Sequence, residues 1–274
     1  MELTTDQLTA FENDGFLLLP GFFSAAEVEL MRAQLPELFA EASERRVVEK
    51  GTNTARAVHG VHATNDVFGR LTRDRRLLEP AMQILGGPVY VHQFKINAKA
   101  AFIGDVWEWH QDYIFWLKED GLPECQLVNI SVFLDDVTEF NGPLMLIPGS
   151  HREGVIDLVG DQGVPEGYDG APDWISNLTA DLKYSIDRNT LIRLVTAGGI
   201  QAPKGPAGSL LLFHPNAVHA SVSNLSPFDR SMALVTYNRV DNLPVEGGMK
   251  RPDFLAGRDF SPIQPLPAGA SLQG

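Results

Sequence analysis

Apolar residues recur at helical spacing through the first third of the chain and give way to short strand-like runs after it. Thr5 to Asn13 reads as a short helix. Ser24 is a good N-cap for a longer one over Ala25 to Ala42, where Val28, Met31, Leu35, Leu38 and Phe39 fall at helical spacing and Glu27 stands three residues past the cap. Between these helices, Gly15 to Pro20 carries a continuous apolar run and reads as a buried strand. A further helix is expected over Asp74 to Leu85, stopped by Gly86-Gly87-Pro88. Beyond Pro88 the texture is that of strands, at 89–98, 126–134, 143–147, 208–213 and 232–237. Helices first and then many strands with polar turns predict an α+β chain with a two-sheet jelly-roll core.

Residues 154–205 break this pattern. They are rich in Gly, Pro, Asp and Asn, with one periodic segment at Leu191 to Val195, and are read as a lid-like insertion between barrel strands. No Pro/Gly/Ser-rich linker divides the chain, so residues 1–274 are expected to form a single domain. The acidic stretch Asp135-Asp136 ahead of Asn141-Gly142-Pro143 reads as a loop, with Asn-Gly supplying the turn.

Composition narrows the function classes. One cysteine, Cys125, excludes an internal disulfide framework and a cysteine-rich metal cluster. No apolar run reaches membrane-spanning length, and Met1-Glu2-Leu3 does not open a basic-then-apolar leader, so the expected location is the cytoplasm. A net charge of −13 argues against nucleic acid, because the basic clusters at Arg45-Arg46 and Arg70 to Arg76 are interleaved with acids on helix-like stretches. A small-molecule substrate fits better, with the chain a monomer or homodimer.

The candidate chemistry lies in Trp109-His110-Gln111-Asp112-Tyr113, followed about a hundred residues later by His219 and then by Arg230. Two imidazoles and one carboxylate form the facial triad of non-haem Fe(II) oxygenases. On a strand, residues two apart share a side, so His110 and Asp112 would be delivered together. His219 follows the apolar run Ser209 to Phe213, and a turn at Asn224 and Pro227 with a return strand from Ser231 to Arg239 would bring Arg230 back beside it. The plainer reading is a chance H-x-D and unconnected structural histidines, since the chain holds 7 His among many Asp. His59, His62 and His92 read as satisfied core or rim histidines. His214 sits five residues before His219; helical H-x-x-x-H spacing would be needed for both to bind a metal, and Pro215 disfavours a helix there.

An ordered series of motifs carries a resemblance. Leu3-Thr4, Gln7, Phe11 and Gly15-Phe16 open it, followed by His92-Gln93-Phe94-Lys95-Ile96-Asn97, the run Trp109 to Pro123, Asn141-Gly142-Pro143 to His151, and His219 to Arg230. The chain resembles the phytanoyl-CoA dioxygenase family of Fe(II)/2-oxoglutarate oxygenases, in the branch of ectoine and free amino-acid hydroxylases. The resemblance implies a cupin-like double-stranded β-helix with the N-terminal helices packed outside it. It implies His110, Asp112 and His219 as iron ligands, Arg230 with Ser221 on the distal carboxylate of 2-oxoglutarate, and Gln93, Asn97 and Trp116 around the same pocket. His151 is not a ligand on this reading. Related halogenases have a small residue where this chain has Asp112, so hydroxylation is implied, with O2 as second co-substrate and succinate and CO2 as co-products. Desaturation and ring closure stay open. Trp116, Glu119-Asp120-Gly121 and Pro123 favour a small zwitterion over an acyl thioester. Gln111, Tyr113 and Ile114 depart from ectoine hydroxylases and turn the expectation toward a free aliphatic amino acid. Arg56, His62 and Tyr113 are the candidate substrate residues. A jelly-roll binding protein without turnover is the non-enzymatic alternative.

Overall fold

The computed structural model describes residues 2–156, 172, 174–175, 178–179 and 182–273. Helix α1 (Thr5–Asp14) and helix α2 (Ala25–Arg32) each start at a capping box, Thr4 with Gln7 and Ser24 with Glu27, so two main-chain donors at each start are satisfied locally. The expected helix over Ala25 to Ala42 is two helices. Helix α3 (Leu35–Ala40) begins afresh because Pro36 lies in its first turn, where its missing N–H costs nothing; inside a continuous helix it would clash with the carbonyl four residues earlier. Helices α4 (Asp66–Leu71) and α5 (Arg75–Leu85) follow, α5 capped by Asp74 and closed by Gly86 in the left-handed region.

The strands are β1 (Phe16–Leu19), β2 (Arg46–Val48), β3 (Ala55–His59), β4 (Val89–Lys99), β5 (Trp107–His110), β6 (Leu127–Phe133), β7 (Leu144–Leu146), β8 (Leu210–Phe213), β9 (His219–Ser221) and β10 (Arg230–Arg239). Seven of them form one sheet in the order β1-β8-β6-β10-β4-β3-β2, and three form a second, β5-β9-β7; every pairing is antiparallel. These are the two sheets of an open jelly roll.

Period-two alternation sends each strand of the large sheet two ways. Phe94 and Ile96 of β4, Val128, Ile130 and Val132 of β6, Leu210 and Leu212 of β8, and Ala233, Val235 and Tyr237 of β10 face the helices, where they pack with Met31, Phe68, Leu71, Leu77 and Leu78. The intervening residues, Phe133, Leu211, Phe213, Met232 and Leu234, turn inward to Leu146 and Ala217. The same inward parity is held by Gln93, Lys95, Asn97 and Lys99 on β4 and by Arg230 on β10, so the row that carries chemistry is the polar complement of the row that holds the helices.

Helix α6 (Tyr113–Glu119) directly follows β5, and helix α7 (Arg188–Gly198) contains the periodic Leu191 to Val195 segment. Of the lid-like insertion expected over 154–205, residues 157–171, 173, 176–177 and 180–181 lie outside those described. The start of that insertion is tied down: Gln111 donates to the carbonyls of Gly154 and Asn216 and accepts from the N–H of Ile156. The loop at 135–142 takes the expected form, with Asn141 bridging Thr138 and Asp136 and Gly142 at φ +70°. Among the described residues no helix is long and apolar enough to cross a membrane.

Candidate active site

His110, Asp112 and His219 offer ligand atoms that all lie within 4.8 Å of one another, and all three side chains are buried. His110 and His219 stand opposite each other in the β5–β9 register, across a bulge, with ring centroids 4.2 Å apart. Each ring uses its Nδ1 on the chain two residues before it, His110 on the Glu108 carbonyl and His219 on the Ala217 carbonyl. That contact places the proton on Nδ1 and leaves the Nε2 lone pairs free for a metal. The two Nε2 atoms lie 3.7 and 3.8 Å from the Asp112 carboxylate.

Asp112 is not delivered by the strand. β5 ends at His110, and Asp112 is the N-cap of α6 with φ −70° and ψ −37°, its N–H bonded to the Pro215 carbonyl. The H-x-D spacing works because the chain turns from strand into helix between the two ligands. Asn129 donates to Asp112 Oδ2 at 2.7 Å and accepts from Thr236 Oγ1 at 2.7 Å, so β6 and β10 orient the carboxylate. Burial opposes ionisation of Asp112, but Lys95, His219 and His110 together hold its carboxyl well below the usual range. His219 is lowered to about 4 by burial and then by His110, which keeps it neutral as a ligand must be.

Arg230 is 3% exposed, and no carboxylate pairs with it among the described residues. Its Nη2 donates to the Gly142 carbonyl at 2.6 Å, its Nη1 reaches the weak acceptor Met232 Sδ, and its Nε has no partner. Burial lowers its pKa to about 10, which still leaves it a full cation. A buried guanidinium without an anion is strongly unfavourable unless a ligand brings one. Ser221 Oγ and Asn97 Oδ1 are likewise buried and unpartnered. All of them line one pocket with Gln93, Lys95, Trp107, Phe115 and Trp116.

The hairpin expected to carry Arg230 back beside His219 does not form. β9 belongs to the small sheet and β10 to the large one, so Arg230 meets the two histidines across the interior of the roll. Gln93, Asn97, Trp116, Ser221 and Arg230 do come together with His110, Asp112 and His219. Arg56, His62 and Tyr113 do not. Arg56 is fully buried on Glu49 at 2.9 Å and the carbonyls of Leu178 and Val106, and its guanidinium stacks 3.8 Å over Trp107, so it supports a wall of the pocket from behind. His62 lies in a 3-10 turn after Gly60, whose left-handed backbone takes the chain off the β3 edge, and its ring packs against Phe94 on the helix side. Tyr113 directs its hydroxyl to the Leu122 carbonyl, while Phe115 and Trp116 are the α6 residues that reach the pocket.

His59 is buried as expected but is not satisfied: both ring nitrogens lack partners, and burial, then Lys95 and Arg251, hold it neutral. Arg251 is a pocket residue the sequence reading missed, and Lys95 stood in the His92 to Asn97 block without being assigned to the site. Lys95 was within reach of that reading, being the middle member of the alternating row Gln93, Lys95, Asn97. Asn129 also had a signal, as a lone amide in the apolar run Leu127 to Phe133. Arg251 had none, since its place depends on Asp120, which receives its Nε at 2.7 Å and also pairs with His92.

The family model for phytanoyl-CoA dioxygenase (PhyH) matches residues 11–232. The chain belongs to the phytanoyl-CoA dioxygenase family. It is 41% identical over 263 residues to L-proline trans-4-hydroxylase of Streptomyces griseoviridis, covering 96% of each chain. It is 41% identical over 261 residues to the ectoine dioxygenase of Halomonas elongata, covering 93% of this chain and 76% of that one. The crystal structure of EctD from S. alaskensis with 2-oxoglutarate and 5-hydroxyectoine superposes with a TM-score of 0.77 at 33% identity, over 96% of this chain and 86% of the other. A further structure of that enzyme holds bound Fe and gives a TM-score of 0.79.

Proposed function

We propose that this chain is an Fe(II)/2-oxoglutarate-dependent dioxygenase that hydroxylates an aliphatic carbon of a free amino acid or similarly small zwitterion. The observation that carries the reading is one pocket holding two imidazoles and a carboxylate together with a buried guanidinium that has no ion-pair partner among the described residues. The donor set suits a ferrous ion: two neutral Nε2 atoms and one carboxylate leave positions open for an oxo-acid and O2. Iron held there would supply the oxidising power, with O2, to hydroxylate an unactivated C–H bond: one oxygen atom of O2 would go to the substrate carbon and the other to 2-oxoglutarate, which would leave as succinate and CO2.

The chain's own residues bind and aim. His110, Asp112 and His219 hold the metal, with Asn129 fixing the carboxylate. The planar fork of Arg230 and the hydroxyl of Ser221 take the distal carboxylate of 2-oxoglutarate, which completes donors that are otherwise orphaned. Trp107, Phe115, Trp116, Leu144, Met232 and Leu234 give apolar walls that exclude water from the reacting C–H bond. Along β4 the inward row runs from Lys99, opposite Arg230, to Gln93, opposite Thr236. Lys95 therefore offers a donor farther along the pocket than the Arg230 end, suited to the carboxylate of a zwitterion, with Arg251, itself paired with Asp120, beside it in the lining.

The names of the relatives support this substrate class, one acting on L-proline and the others on ectoine. The test is succinate formation with Fe(II), O2 and 2-oxoglutarate across L-proline, other free aliphatic amino acids, ectoine and fatty acyl-CoA thioesters, with the product identified by a 16-dalton mass gain. Stimulation by a zwitterion is the expected result. Turnover of an acyl thioester with no response to any zwitterion overturns the reading, and no succinate at all with iron bound favours a binding protein.

A further inference from the structure

Lys99 closes β4 and stands directly opposite Arg230 in the β4–β10 register. It is 1% exposed. Its Nζ donates to the main-chain carbonyls of Asp105 and Val222, the latter at 2.8 Å. These acceptors are far apart in sequence: Asp105 lies two residues before β5, and Val222 directly follows β9. One amine thus ties together the two strands of the ribbon in which Trp107 pairs with Ser221 and His110 with His219, at its Trp107–Ser221 end. Its methylenes pass under Gly142, where an added Cβ would meet the Val222 oxygen at 2.6 Å and Lys99 Cδ at 2.8 Å. The Gly142 carbonyl is in turn the acceptor for Arg230 Nη2. The lysine therefore touches, through main chain on both sides, the supports of Ser221 and of Arg230.

We propose that Lys99 is a positioning residue for the oxo-acid co-substrate, a strap that fixes Ser221 and Arg230 in the geometry that receives its distal carboxylate and that takes up a proton when the carboxylate arrives. The proposal rests on the reading of Arg230 and Ser221 as carboxylate holders.

The electrostatics around the amine give the strap a distinctive signature. Burial, then Arg230 on β10 and Arg56 on β3, lower its pKa to about 6, against the opposing charges of Glu49 after β2 and Asp105 before β5. Near neutral pH it is mainly the free amine, whose two N–H groups match the two carbonyls. A carboxylate set on Arg230 offsets the guanidinium's repulsion and favours the ammonium form. Binding then raises the pKa of Lys99, so affinity for 2-oxoglutarate is greatest below about pH 6 and declines as pH rises from there to the bound-state pKa.

The experiment is anaerobic titration calorimetry of the Fe(II)-loaded protein with 2-oxoglutarate, from about pH 6 to 8 in buffers of different ionisation enthalpy. Wild type, Lys99→Met and Arg230→Ala are compared, with Fe(II) affinity and thermal midpoint measured alongside. The expected result is proton uptake by wild type, and in Lys99→Met a loss of affinity of about tenfold at the low-pH end, no pH dependence, and Fe(II) affinity within about twofold. A kinetic split should accompany it, with KM for 2-oxoglutarate raised and kcat at saturation retained. Wild-type affinity in a folded Lys99→Met protein overturns the proposal, and so does a parallel fall in Fe(II) affinity, kcat and thermal midpoint. If Lys99→Met does not fold, absence of proton uptake by wild type overturns it alone. Arg230→Ala separates the two levels: unchanged 2-oxoglutarate affinity there removes the underlying reading, whereas weakened binding there with unaltered Lys99→Met removes only the role of Lys99.

Discussion

A residue's neighbours decide whether a histidine near an aspartate is a ligand or a bystander. His110 and His219 have their Nδ1 atoms engaged by carbonyls two residues upstream, a local contact that turns both Nε2 atoms on Asp112. His92 meets a carboxylate too, yet Asp120 is shared with Arg251 and no second imidazole faces it, so that group is a buried ion pair. Asn129 is the most direct test of the orientation. Asn129→Ala removes the donor to Asp112 Oδ2, and Fe(II) affinity should fall by about 10- to 100-fold while Asp112→Ala falls further, both read by metal titration. Iron affinity unchanged in Asp112→Ala would remove the triad assignment.

At the scale of elements, the step from β5 to α6 does most to build the site. The apolar run Tyr113 to Trp116 begins a helix whose first residue follows Asp112, and this swings the carboxylate onto the two imidazoles. The helix also sorts its own residues: Phe115 and Trp116 reach the pocket, and Tyr113 is bound to the Leu122 carbonyl at 3.1 Å. Tyr113→Phe should therefore cost about 1 kcal/mol in stability, measured by urea denaturation, and leave KM for 2-oxoglutarate and for the proposed amino-acid substrate within about twofold. A changed substrate KM at unchanged stability would return Tyr113 to the pocket.

For the whole molecule, the interior position of so many histidines sets the response to acid. Burial lowers His62 and His214 to about 4, with His151 adding to the effect on His214, and it holds His59 neutral. In the unfolded chain these groups protonate near 6.5, so below that pH the unfolded state binds more protons than the folded one. Stability is then fully present above about pH 6.5 and is lost as pH falls toward 4, by up to about 3 kcal/mol for each of His62 and His214. Urea midpoints measured from about pH 7.5 down to 4.5 should fall steadily, and a flat profile would mean that these rings find partners or water in solution.

Local order was legible in the sequence because it rests on local physics. The cap at Ser24, the stop at Gly86 and the apolar runs that became β1, β6 and β8 are properties of short segments. An ordered series of motifs, through the resemblance it carries, named the triad, Arg230, Gln93 and Asn97. The short strands β2 and β3 were not legible, for their polar and small residues acquire strand character only from the β4 edge they pair with. Which sheet each strand joins was decided by tertiary structure, and this put Arg230 across the roll from His219 rather than beside it. Lys99 and Arg251 gained their places in the same way: the partners of Lys99 lie 6 and 123 residues away, and Arg251 meets Asp120 from a distance of 131 residues. Such separations leave no periodic trace in the chain, because these polar groups can be buried only where hydrogen bonds offset their desolvation, and the partners for those bonds are brought together only by the folded sheets.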